Sequence, residues 1–119
     1  MTAQIYSIVA TEHCGAKAKE LIKILKPGTA LVLVREPANK FDKNAIAVYA
    51  DGEKIGYIPK NKNILLAAAI DAGGRAWTAP QPVGAMDSHP ENVPVHKAVD
   101  GKFKPSPNSA FPQVEVEVK

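Results

Sequence analysis

Residues 31–59 read LVLVREPANKFDKNAIAVYADGEKIGYIP. An apolar run opens this stretch, a polar loop at 35–44 interrupts it, and two more apolar runs follow, joined by Asp51-Gly52. Asp-Gly between apolar runs is a strong hairpin signal, so the pattern predicts three strands around one long loop. Loops held by a rigid sheet often carry binding residues, and Phe41, in the middle of this one, gains nothing from facing water without a partner. The stretch therefore predicts a binding loop on a β-scaffold.

Composition sets the class of protein. The chain has 119 residues, of which 45% are hydrophobic, and this is enough for one domain, residues 1–119, with a buried core. The formal net charge of +3 is mild, so any phosphate contacts should be few. Cys14 is the single cysteine and cannot form an internal disulfide. Since no signal peptide or membrane-spanning apolar run is visible, we expect a cytoplasmic protein without membrane association.

The rest of the chain predicts two helices and further strands. Residues 16–25 have the pattern of an amphipathic helix, and 61–72 are rich in alanine and leucine, with Asn61 or Asn63 as a candidate N-cap. Strand signals fall at six places along the chain: 4–10, 29–34, 45–50, 54–58, 75–79 and 113–119. Residues 80–112 hold seven of the ten prolines and show no periodicity, so we expect a long proline-rich loop there.

These elements favour a mainly β fold with two helices, of the α+β class. We expect a small, partly open six-stranded β-barrel, similar in build to OB and SH3 barrels, with helices after strand 1 and after strand 4. In the closing strand, 113–119, valines alternate with charged residues, as expected of a strand with one buried face. Small barrels of this kind commonly bind single-stranded nucleic acid across one face.

Several short motifs in the same region are those of a known domain. Pro-Gly precedes the first strand of the stretch, Arg-Glu-Pro opens the loop, NKFDKNAI at 39–46 fills it, and GYIP at 56–59 follows the hairpin. This part of the chain resembles the HIRAN domain, and the resemblance extends over residues 3–79 and the closing strand. Domains of this family occur as accessory modules on fork-remodelling helicases and as stand-alone bacterial or phage proteins. Their best understood member holds the 3′ end of single-stranded DNA.

The resemblance implies roles for residues in the loop and after the hairpin. Phe41 stands where the family has an aromatic ring that stacks on the terminal base, and Asp42 where a carboxylate accepts the proton of the 3′-hydroxyl. Asn39 would contact the end nucleotides, and Tyr57 and Lys60 lie where the family approaches the backbone phosphate. The chemistry agrees, because a carboxylate accepts a hydrogen bond from a free hydroxyl and repels a phosphate.

Three further residues complete the expected site. Phe111, in a segment similar to a family motif, would complete the base pocket. Lys40 and Lys43, in the loop itself, would help to neutralise two or three phosphates. The chain departs from the family at Glu12, where a negative charge replaces a stacking ring, and at Ala38, which replaces one of two adjacent asparagines.

Structural alternatives stay open for the same residues. Asp42 could bond to the backbone of its own loop, as aspartates in Asx turns do, and Asn44 is assigned mainly to such a role. Phe41 could pack under the barrel rim, since the chain has few phenylalanines to fill a core. Tyr57 could face inward on its strand. Gly56 is expected to serve backbone geometry or close packing rather than ligand contact.

The sequence does not favour catalysis, a metal or a cofactor. His13 and Cys14 are adjacent, and on a strand their side chains would leave in opposite directions, which argues against a Cys-His dyad. His89 and His96 do not have metal-ligand spacing, and Asp42 has no obvious second carboxylate for a metal-dependent nuclease.

The chain is therefore interpreted as a binding module and not an enzyme. Its expected ligand is single-stranded DNA with a free 3′-hydroxyl end, in DNA repair or replication, and a helicase or a nuclease is a candidate protein partner. The alternative is a protein-interaction adaptor that uses the proline-rich loop at 80–112 and the terminal strand as an open sheet edge. The sequence leaves the oligomeric state open.

Overall fold

The computed structural model describes residues 2–78, 95–105 and 112–118. The strands are β1 (Thr2–Ser7), β2 (Ala30–Arg35), β3 (Ile46–Ala50), β4 (Glu53–Tyr57), β5 (Arg75–Trp77), β6 (His96–Lys104) and β7 (Gln113–Val118). The helices are α1 (Ala16–Ile24) and α2 (Ile64–Gly73), preceded by short 3₁₀ turns at Thr11–His13 and Lys60–Lys62. Within the described residues, no helix is long and apolar enough to cross a membrane.

The strands form one antiparallel sheet that curls into a half-barrel. Its order is β1-β7-β6-β2-β3-β4. Strand β5 also pairs with β6, along the same edge of β6 as β7. At the open side of the barrel, the chain just after β1 returns beside β4. There Val9 and Tyr57 exchange two backbone hydrogen bonds, each 2.8 Å long between nitrogen and oxygen. This bridge links the two ends of the sheet at one point and leaves the barrel partly open.

The side-chain pattern of each element accounts for what it buries. In β7, Val114 and Val116 are buried while Glu117 is exposed, which confirms the expected alternation. Helix α1 packs against β4, and α2 packs against β6 with one apolar face inward. The largest buried apolar side chains come from both sheet and helix: Ile8, Leu31, Leu33, Ile46, Ile55 and Ile70. The core thus fills the concave side of the sheet and is covered by the helices.

The expected fold class is confirmed, with helices after the first and fourth strands, but the strand count is not. The described residues hold seven strands, because β6 occupies 96–104, where a loop was expected. This strand lies in the middle of the sheet, paired with β2 on one side and with β5 and β7 on the other. Its buried positions are Ala98, Gly101 and Phe103, and two of these have side chains too small to produce a visible apolar period.

The terminal strand β7 is not a sheet edge. It pairs with β1 from Gln113 to Val118 on one side and with β6 from Gln113 to Glu115 on the other. The adaptor hypothesis is therefore wrong in its use of this strand as an open edge. Residues 80–94 and 106–111 of the expected proline-rich loop lie outside the described residues.

Glycine is required at two places near the β3–β4 hairpin. Asp51 and Gly52 have φ values of 50° and 81°, the left-handed pair that suits a two-residue hairpin turn. Gly56, in β4, lies against the segment after β1. A Cβ atom there would come within 2.5 Å of Ile8 Cγ2 and 2.7 Å of the Val9 carbonyl oxygen. The expected packing role of Gly56 is thus confirmed, and the absence of a side chain lets the bridge between Val9 and β4 form.

Replacing Gly56 with alanine is expected to lower the free energy of unfolding by about 1–3 kcal/mol, since overpacking of this kind forces the backbone to shift. Urea denaturation measures the change. Gly73→Ala, at the end of α2, is the matched control, because nothing lies within 4 Å of its added Cβ. The control should keep or slightly raise stability. Equal unfolding midpoints for the two variants would argue against the close approach at Gly56.

Candidate functional site

A cleft of about 660 Å³ opens where the loop between β2 and β3 faces the end of β4. Its walls come from residues 9–14, after β1, from 39–45, in the loop, and from 54–60, in and after β4. Five of the predicted site residues lie on these walls: Asn39, Phe41, Asp42, Tyr57 and Lys60. Lys40 and Lys43 are exposed in the same loop but do not line the cleft. Phe111 lies outside the described residues.

Among the cleft residues with polar or ionisable side chains, three were not predicted as site residues: His13, Cys14 and Lys54. The expectation that His13 and Cys14 lie on a strand and point apart is wrong, because the chain forms a 3₁₀ turn there and both line the cleft. Ala10, just before the turn, has a φ of 61°, a strained conformation for a residue with a side chain. Burial raises the pKa of Cys14, so its thiol stays protonated at neutral pH.

Side-chain oxygens that accept backbone N–H groups give the loop its shape. Asn39 Oδ1 accepts the backbone N–H of Phe41 at 2.8 Å and that of Asp42 at 3.1 Å. Asp42 Oδ1 accepts the backbone N–H of Asn44 at 2.9 Å, which confirms the Asx-turn alternative for Asp42, and Asn44 takes part in the turn through its backbone. The turns direct Phe41 away from the core. Its side chain is 89% exposed, so the alternative that it packs under the rim is wrong.

Arg35 anchors the C-terminal end of the loop to the fold. It is 5% exposed, and its Nη1 donates to the carbonyl oxygen of Ala45 at 2.9 Å while its Nη2 donates to that of Lys43 at 3.1 Å. Its Nε donates to Asp71 Oδ1, on α2, at 2.9 Å. A guanidinium group can make these bonds at once because its donors lie in a rigid planar fork. Arg35 therefore connects the loop, the sheet and α2, and it does not line the cleft.

Glu36 anchors the N-terminal part of the loop. Its Oε1 accepts the amide of Asn39 at 3.0 Å and the hydroxyl of Tyr57 at 2.9 Å, and its Oε2 lies 2.9 Å from Lys54 Nζ. Burial alone would raise the pKa of Glu36, but the hydrogen bonds from its three donors outweigh burial and lower the pKa below its ordinary value. The carboxylate is therefore ionised at neutral pH and holds the loop against β4.

Tyr57 and Lys54 line the cleft beside this carboxylate. Lys54 Nζ donates to the Tyr57 hydroxyl at 3.0 Å and lies 5.2 Å from the centre of its ring. Burial alone would lower the pKa of Lys54, but the hydrogen bonds to Glu36 and Tyr57 raise it, so the ammonium group stays charged. Tyr57 is half-buried: its ring lines the cleft and its hydroxyl donates to Glu36. The alternative that Tyr57 faces inward is therefore only partly right.

Asp42 is held by a second residue outside its loop. Asn63, which precedes α2, donates from Nδ2 to Asp42 Oδ2 at 2.8 Å. This bond, followed by the one from the Asn44 backbone, lowers the pKa of Asp42, and the positive charges of Lys60 and Arg35 add to the effect. Asp42 is thus an ionised acceptor on the cleft wall at neutral pH.

Three lysines in and near the loop are exposed: Lys40, Lys43 and Lys60. The ion pairs found in the described part of the chain do not involve Lys40, Lys43 or Lys60. Glu12 is exposed, and its Oε1 lies 3.7 Å from His13 Nε2. Within the described ranges, no group of three His, Cys, Asp or Glu side chains could hold a metal ion. The cleft therefore offers an exposed ring, an ionised carboxylate and nearby ammonium groups.

Comparisons with known proteins agree with this architecture. The sequence model of the HIRAN domain matches residues 1–104 of the chain. No curated protein matches the sequence. A crystal structure of a protein from Lactobacillus plantarum is similar over 98% of each chain, with 21% sequence identity and a TM-score of 0.54. At this level of identity, the likeness shows the fold alone.

Replacing Glu36 with glutamine is expected to lower the free energy of unfolding at pH 7 by about 1–3 kcal/mol, because the ammonium group of Lys54 loses its charged acceptor. The pKa of Glu36 is lowered in the folded protein, so its stabilising effect is present above the ordinary value of about 4.3 and is lost as the pH falls through the folded-state pKa. Urea denaturation at several pH values measures both effects.

The difference between wild type and Glu36→Gln should therefore shrink as the pH falls from neutral toward about 3. Asp42 also has a lowered pKa, but it is present in both proteins and cancels in the difference. Glu20→Gln is the control, since this side chain on α1 is 74% exposed and contacts only Lys23 at 3.6 Å among the ion pairs described. A constant difference at every pH would rule out the proposed charge of Glu36.

Proposed function

Because the chain belongs to the HIRAN domain family, whose members are nucleic-acid-binding modules, we propose that it binds single-stranded DNA at a free 3′-hydroxyl end. In this proposal the protein is a non-catalytic module that serves DNA repair or replication in the cytoplasm. One observation carries the proposal: an exposed ring and an ionised carboxylate, neighbours in one loop, line the same cleft.

Phe41 supplies the stacking surface. A ring that is 89% exposed on a loop held at both ends is ready to receive a base without rearrangement. Stacking on an aromatic ring contributes about 1–3 kcal/mol per base and tolerates every base, because each has a flat π-face. Phe41 therefore provides affinity without sequence preference, as a module for strand ends requires.

Asp42 supplies the preference for an end. Each of its oxygens accepts one hydrogen bond within the protein, and an ionised carboxylate has about four acceptor positions, so each oxygen can accept one more. A 3′-hydroxyl can donate to such a position. A 3′-phosphate, or the phosphodiester of a continuing strand, brings negative charge against the carboxylate and is repelled.

Lysines in and near the cleft neutralise the phosphates that precede the 3′ end. Lys60 lines the cleft, and Lys40 and Lys43 are exposed on the loop between β2 and β3. On single strands each neutralised phosphate gives a slope of about −0.7 in the logarithm of affinity against the logarithm of salt concentration. Glu12, exposed next to the cleft residue His13, opposes binding there, so moderate affinity is expected.

Oligonucleotides that end in 3′-hydroxyl or 3′-phosphate test the role of Asp42. Fluorescence anisotropy should show tighter binding of the 3′-hydroxyl form, by about tenfold or more, because a hydrogen bond to a charged group is replaced by repulsion. Asp42→Asn should remove most of this preference. Asparagine can still accept the backbone N–H of Asn44, so the loop should keep its shape.

Equal affinity of the wild-type protein for the two oligonucleotides would remove the proposed preference. A circular single strand, which has no end, separates end binding from general strand binding. It should compete weakly against the labelled 3′-hydroxyl oligonucleotide at equal nucleotide concentration.

Phe41→Ala is expected to weaken binding of the 3′-hydroxyl oligonucleotide by about 5- to 150-fold, the range that corresponds to the loss of one stacked base. The melting temperature should hardly change, because the ring contributes little to the core. Leu65→Ala is the matched control: it removes an apolar side chain that is 84% exposed and does not line the cleft. Similar affinity losses in both variants would point to a general apolar effect and against stacking at Phe41.

A further inference from the structure

We propose that Asn63 is a positioning residue of this site, which holds the Asp42 carboxylate in the orientation that receives the ligand hydroxyl. The inference rests on the proposed function, and it adds a residue from outside the binding loop. Its basis is geometric. Asn63 is 1% exposed, and its Nδ2 donates to Asp42 Oδ2 at 2.8 Å across 21 positions of sequence.

The local environment of Asn63 indicates that its side chain does not serve the helix. Asn63 stands at the N-cap of α2, where an asparagine side chain ordinarily accepts a backbone N–H of the first turn. Here no such hydrogen bond is formed, and Asn63 Oδ1 is buried without a hydrogen-bond partner among the described residues. Both features are unfavourable for stability. The side-chain amide of Asn63 therefore binds Asp42 and does not cap α2.

The consequence for Asp42 is a carboxylate fixed on both sides. Its Oδ1 is held by the Asn44 backbone in the loop, and its Oδ2 is held by Asn63 from α2. The charged groups that act on it are Lys60, from the turn before α2, and Arg35, from β2, whose guanidinium is already engaged by Asp71. Without Asn63 the carboxylate could rotate about its bond to the Cβ atom, and the pKa of Asp42 would be higher. Both changes would weaken discrimination between a hydroxyl and a phosphate.

Asn63→Ala tests the inference with two measurements. The first is an NMR titration of the Asp42 carboxyl carbon in the free protein, where the midpoint should move to higher pH. The second is the ratio of the dissociation constants for 3′-phosphate and 3′-hydroxyl oligonucleotides, which should fall by roughly 2- to 10-fold, as expected for the loss of one hydrogen bond. Asn61→Ala, at an exposed position in the preceding turn, is the matched control and should change neither.

Asn63→Ser guards against a simple loss of folding. Serine is a good N-cap for α2 but is too short to keep the bond to Asp42, so it should stabilise the helix and still shift both measurements. In an Asp42→Asn background, Asn63→Ala should leave the ratio of dissociation constants unchanged, because the group it positions is gone.

The outcomes separate the two claims. If the wild-type protein binds both oligonucleotides equally, the proposed function fails, and the role of Asn63 in ligand selection fails with it. If the wild-type preference survives in both Asn63→Ala and Asn63→Ser, with the Asp42 midpoint unchanged, the proposed function stands and the role of Asn63 is overturned.

Discussion

The geometry of the cleft depends on one carboxylate, that of Glu36, where three donors from two parts of the chain meet. Asn39 comes from the loop, and Tyr57 and Lys54 come from β4. Since Asn39 also accepts the backbone N–H of Phe41, the direction of the exposed ring is linked to the sheet through Glu36. A side chain only 18% exposed keeps its charge because these donors satisfy it. These side-chain bonds thereby hold the loop against β4.

The local parts of the fold could be predicted from the sequence because their signals are local. The β3–β4 hairpin follows from two apolar runs around Asp51-Gly52, and α2 follows from its alanine-rich run. β6 could not be predicted, because its longest pairing is with β2, which is distant in sequence, and because its pattern is broken at Gly101. A Cβ there would come within 2.8 Å of Val114 Cγ2 and 3.0 Å of Leu33 Cδ1. Tight packing thus excludes the large apolar residue that would have marked the strand.

The candidate site was predictable to a similar extent. Asn39, Phe41 and Asp42 belong to one continuous motif, so the sequence places them together before any fold is known. Lys54 comes to line the same cleft, and Asn63 comes to contact Asp42, only through the tertiary fold. An asparagine before an alanine-rich helix resembles an N-cap in any sequence, and the direction of its amide depends on what packs beside it. Sequence patterns carry no such information about neighbours across the fold.

Asp42 shows why a structural role and a ligand role need not compete. The loop and Asn63 each use one acceptor position, on different oxygens, and a carboxylate has about four. A side chain that rotated freely would lose conformational entropy when a ligand fixed it, whereas this one has lost that freedom on folding. In the proposed function, the same hydrogen bonds that shape the loop also prepare the acceptor. The two interpretations that the sequence leaves open for Asp42 are then consequences of one arrangement.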